Sequence, residues 1–164
     1  MHMYTIAEAI VATIDTLLDT VADELPSNSQ IARSRLKPDV EIHKRRAQDR
    51  REMRIGEGIT VVPMKPVQAG GTNERDDVGY AFLVAIAQRT LTDTLNADWR
   101  VGIWEQAIRQ RFNHRRLGIT LDSACELSCI VAPGELPNWA MLEEGMDLSM
   151  LTITCYVREA RRYV

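Results

Sequence analysis

The eleven residues Val78 to Gln88 constrain the chain more than any other stretch. In a strand, successive side chains point to opposite faces. Val78, Tyr80, Phe82, Val84 and Ile86 therefore line one side, and Gly79, Ala81, Leu83, Ala85 and Ala87 line the other. Both rows are apolar. Such a strand belongs in the middle of a sheet, covered on each side by helices or by a neighbouring subunit. A chain of 164 residues, 45% of them hydrophobic, has the material for this. At that size one domain is expected, burying about two thirds of the surface its unfolded form exposes. No apolar run approaches the roughly 20 residues that span a bilayer, and the start of the chain does not read as a secretory signal.

Other elements follow from periodicity. Ile6, Ile10, Ile14, Leu17, Leu18, Val21 and Leu25 recur at three- and four-residue spacing and predict a helix over 5–25. Thr5 and Glu8 read as its capping box, and Pro26 as its stop. Short strands are expected at 39–45 and 59–64, with Pro63 marking an edge or a strand end. Trp99, Ile103, Trp104, Ala107, Ile108 and Phe112 predict a second amphipathic helix over 99–113, capped by Asp98. Two alternating runs, at 124–131 and 148–158, complete a set ordered α-β-β-β-α-β-β. The expected fold is a single α+β domain over 1–164: a mixed or antiparallel sheet with both helices on one face. Residues 44–58, 65–77 and 132–147 are expected to be mobile loops, with Gly70-Gly71 at a loop tip and Asp76-Asp77 capping a turn.

No motif for a catalytic nucleophile, a phosphate loop or a metalloprotease helix is present. Neither an enzymatic activity nor a cofactor is expected. Cys125, Cys129 and Cys155 all fall in alternating apolar runs and read as buried free thiols in a reducing compartment. The C-x3-C spacing of the first two lacks the usual zinc pattern, so no metal is expected. His2, His43 and His114 are scattered, and they read as exposed and uncommitted.

Charge is segregated although the net charge is only −3. Residues 1–30 carry five acids and no Lys or Arg, with Asp15, Asp19 and Asp23 four apart on one helix face. Residues 31–54 carry nine basic and four acidic residues, including Arg45, Arg46, Arg50, Arg51 and Arg54. Three explanations fit these blocks. They are solvated surface, they join copies of the chain by complementarity, or the basic run binds phosphate. The run has no aromatic residue for base stacking, which counts against single-stranded nucleic acid.

In layout and texture the chain resembles the tail terminator and tail-completion (minor tail, neck) proteins of long-tailed bacteriophages. Four features carry the resemblance. They are the N-terminal helix Ala7 to Val21, the charged stretch Arg45 to Arg54 after the first strand, the long apolar strand Tyr80 to Gln88 followed by the helix Trp99–Phe112, and the final strand Leu151 to Arg158 reached after a Pro-rich loop. The resemblance implies a structural virion protein, made in the host cytoplasm. Such proteins form a hexameric ring that caps the tail tube and joins it to the head connector. Partners would be copies of the chain itself, the tail tube protein and the connector or neck proteins, with no membrane. DNA would pass through the ring without sequence-specific binding. Under this reading Arg45, Arg46, Arg50, Arg51 and Arg54 are interface residues, and Asp15, Asp19 and Asp23 are acidic partners. A head–tail connector or head-completion protein, or a cellular oligomeric α+β binding protein, are the alternatives. The 132–147 segment is longer than a strand connection needs and marks the departure from the family pattern.

Overall fold

A computed structural model describes residues 2–24, 40–42, 58–72, 74–89, 97–134 and 146–160. The elements in chain order are α1 (His2–Glu24), β1 (Val40–Ile42), β2 (Gly58–Pro63), β3 (Val67–Gly71), β4 (Arg75–Arg89), α2 (Ala97–Phe112), β5 (Ala124–Pro133) and β6 (Met146–Ala160). The fold is α+β. Five strands form a sheet in the order β1-β2-β4-β6-β5, and β3 pairs with β4 beside β2. All strand pairs are antiparallel except β1 with β2, so the sheet is mixed.

The two-sided strand does run through the middle. Over its full length β4 pairs with β6, from Arg75 opposite Ala160 to Arg89 opposite Met146. Its other edge carries β2 at one end and β3 at the other. One face packs under both helices. There Phe82 lies opposite Ile153 and Val84 opposite Leu151, joined by Ile59, Val61, Cys155 and Val157 in one buried cluster. From α1 that cluster receives Ile6, Ala7, Ile10, Ile14 and Leu18, and from α2 it receives Val101, Trp104, Ile108 and Phe112. These spacings put one stripe of each helix on the sheet. On the opposite face Thr60, Val62, Leu83, Ala85 and Ala87 are also buried. Gly134 folds onto this side, its N–H donating to the Met150 carbonyl at 3.0 Å. A Cβ there would meet the Leu151 backbone at 3.1–3.2 Å and the Leu83 side chain at 2.8 Å.

Several expectations need correction. The loop expected over 65–77 contains a strand: β3 pairs with β4 from Val67 opposite Gly79 to Gly71 opposite Asp76. The element order thus gains one strand. All five β3 residues are exposed, so no apolar alternation marks them, and main-chain pairing alone makes the strand. Gly70 and Gly71 are strand residues ahead of the turn, which Thr72 closes by donating its N–H to the Arg75 carbonyl at 2.6 Å. At the start of α1 the helix begins three residues before Thr5, so Thr5 is no cap, and Glu8 instead accepts from the Tyr4 hydroxyl one turn back. Asp98 likewise lies inside α2. The expected loops 44–58 and 132–147 fall outside the described residues, except for Gly58, 132–134 and 146–147 at their ends.

Candidate functional site

The interface residues expected from the sequence divide into two groups. Asp15 and Asp19 sit on the exposed side of α1, away from the Ile6–Leu18 stripe. Asp23 lies in the last turns of α1, and nothing is described of its side chain. Arg45, Arg46, Arg50, Arg51 and Arg54 lie outside the described residues, as does His43. Two of the three acids thus lie on an exposed helix face, and the basic segment lies outside the described residues.

The second helix ends in a basic corner. Arg109 is held by Glu105 one turn earlier at 2.6 Å, and the Arg111 guanidinium lies 5.9 Å from the centre of the Phe112 ring. Exposed His114, Arg115 and Arg116 follow, with His114 in the left-handed conformation at φ 58°. That corner docks along the outer edge of β5. The His114 N–H donates to the Cys129 carbonyl and the Cys129 N–H to the Arg115 carbonyl, both at 2.8 Å. The Arg116 Nε donates to the Leu127 carbonyl at 2.9 Å. One edge of the sheet is thereby covered by its own chain, a common protection against edge-to-edge pairing. The edge at β3 differs. Among the described residues β3 pairs with β4 alone, and Val67 is 57% exposed.

A bulge in β5 decides where the cysteines go. The register shifts between Glu126 and Ser128, leaving Leu127 as the extra residue, and this reverses the alternation on one side of it. Cys129 and Val131 face the helices, as alternation predicts. Cys125 does not share their face, and its thiol is exposed. The expectation of three buried cysteines is corrected to two. The inward place near this end of β5 goes to Glu126, which is only 7% exposed. Its carboxylate accepts N–H groups from Leu117, Gly118 and Ile119. Three main-chain donors satisfy a carboxylate that burial would otherwise penalise. Gly118 sits at φ 78°, where a side chain is strained. Sequence analysis missed Glu126, since an acid in an alternating run ordinarily reads as solvent-facing.

Asp76 and Asp77 are strand residues, which corrects their assignment to a turn. Asp77 faces Arg158 across β4 and β6. It accepts from Nε at 2.7 Å and from Nη2 at 2.9 Å, in a two-pronged pair. Hydrogen bonding to that guanidinium holds the Asp77 carboxyl below its ordinary range. Beside the pair lies a cavity of about 320 Å³, lined by Arg75, Ser123, Ala124, Cys125, Arg158 and Ala160. On the helix-facing side the Tyr80 hydroxyl donates to Glu159. Ser149 of β6 donates to Glu105 of α2 at 2.6 Å. That bond, and then Arg109, hold the Glu105 carboxyl down against the opposing effect of burial. These contacts tie strands and helices together. Among the described residues no group of three or more His, Cys, Asp or Glu is placed to hold a metal ion, and no helix is long and apolar enough to cross a membrane.

Neither a protein-family model nor a curated protein matches the chain.

Proposed function

We propose that the chain is a structural protein of a bacteriophage neck or tail, a tail terminator. Copies of it close into a hexameric ring that caps the tail tube and joins it to the head connector. In this reading the protein acts by assembly rather than by catalysis. The reading rests on resemblance in layout. The observation that carries it furthest is the asymmetry of the sheet, with one outer edge covered by residues 113–116 and β3 exposed along all five residues. An exposed strand edge offers main-chain groups to a neighbouring chain. Charge supports it too. Asp15 and Asp19 present acid on the exposed side of α1, and the run from Arg45 to Arg54 is basic, so neighbouring copies have complementary surfaces to offer. In this role the protein resides in the virion, contacts the tube and connector proteins, and lets DNA pass without reading its sequence.

Light scattering of the purified chain at low and high salt, with negative-stain images of the same samples, tests the reading. Six-fold rings that loosen as salt screens charge contacts are the expected result. A stable dimer that forms no ring at either salt speaks against it. A monomer moves the question to purified tail tubes, where failure to bind the tube end overturns the proposal.

A further inference from the structure

Cys129 of β5 and Cys155 of β6 are direct cross-strand partners. Both thiols are free and buried under the helices, and their sulfurs lie 2.8 Å apart. The main chain explains the closeness. Cys129 directs its N–H and its carbonyl away from β6, to Arg115 and His114. A residue with both groups turned outward forms the non-hydrogen-bonded kind of antiparallel pair, the closer kind, with Cα atoms about 4.5 Å apart. A disulfide spans Cα separations of about 4.4–6.8 Å, with sulfurs about 2.0 Å apart. The backbone thus already has the spacing that a bridge needs, and the two side chains leave the sheet on the same face. Cys125 is excluded as a partner, because the bulge turns it to the other face opposite Arg158.

We propose that Cys129 and Cys155 form an oxidisable dithiol that closes to a disulfide between β5 and β6 when the folded chain meets a small hydroperoxide. The inference does not depend on the assembly role. The oxidant is water-sized because both thiols are buried, so only a small molecule reaches them through local opening of the edge held by residues 113–116. The Cys129 sulfur attacks one peroxide oxygen as its proton is given up. The O–O bond breaks, and the hydroxide released takes up the thiol's proton as water. The sulfenic acid left on Cys129 is then attacked by the Cys155 sulfur. An S–S bond forms, the S–O bond breaks, and the hydroxyl leaves with the Cys155 proton as a second water. Two thiols and one peroxide become one disulfide and two waters. The two sulfurs can exchange roles without changing the balance.

The test uses the full chain carrying Cys125→Ser, which removes the exposed competing thiol. The folded protein is treated with hydrogen peroxide, then unfolded, alkylated and weighed. The expected result is loss of both alkylatable thiols, a mass lower by two hydrogens, and a linked peptide pair containing Cys129 and Cys155. A reducing thiol should reverse all three. Adding Cys129→Ser, with folding checked by circular dichroism, should abolish the mass loss. Oxygen gained at either cysteine without a linked pair overturns the proposal. So does a bridge that forms faster in denaturant than in the folded chain.

Discussion

The side chain with most at stake is Glu126. A nearly buried carboxylate that accepts three main-chain N–H groups fixes the turn at 117–119 against β5. Replacing it with Ala strands those donors, and leaving a buried group unsatisfied costs about 1–3 kcal/mol. Glu126→Ala should therefore unfold in urea at a clearly lower midpoint than the parent, with Glu126→Gln between the two because its amide keeps one acceptor. Equal midpoints for all three would show that water satisfies the turn. Asp77 makes a prediction in pH. Its carboxyl is held below the ordinary value of about 4 by Arg158. A lowered folded-state pKa gives stability that is present above the unfolded value and fades as pH falls through the folded one. Glu105, lowered by Ser149 and Arg109, contributes with the same sign. Melting temperature should therefore drop on acidification below about pH 4, and Asp77→Asn should flatten that drop while lowering stability at neutral pH.

At the scale of elements, β4 and β3 are opposites. Inside the helix-covered face Phe82 is fully buried opposite Ile153. Phe82→Ala removes a large side chain from a packed site and should cost about 3–5 kcal/mol, readable by denaturant titration. In contrast β3 holds no buried side chain. Val67→Lys should change stability by no more than about 0.5 kcal/mol, as exposed substitutions usually do. The same contrast explains what the sequence could reveal. Elements with one apolar stripe, α1 and α2, and strands with an apolar row, β2, β4 and β6, announce themselves by period. Their ends do not, since Thr5 and Asp98 carry cap-like side chains inside helices that start earlier. A strand made only by pairing, such as β3, leaves no period to read.

For the whole molecule, the question is how copies meet. If the charge blocks join subunits, reversing Arg50 and Arg51 to Glu should lower assembly and tail joining without changing the melting temperature of the separated chain. Sizing chromatography and light scattering read the first effect, and thermal melting reads the second. Assembly unchanged by the double reversal would remove these residues from the interface. The acidic side is half in view, with Asp15 and Asp19 exposed on α1.

The sequence by itself determined the α+β class, the central place of the 78–88 strand and the inward stripes of both helices. Each rests on local periodicity, a property the chain carries before it folds. Only the tertiary structure decided the pairing of exposed β3, the inward turn of Glu126, the outward turn of Cys125 and the meeting of Cys129 with Cys155. For β3 the reason is pairing without a buried side chain, and for Glu126 and Cys125 it is one extra residue, Leu127. A bulge exists only relative to a partner strand. The register of β5 against β6, not the spacing of residues along β5, therefore sets which side chains share the core.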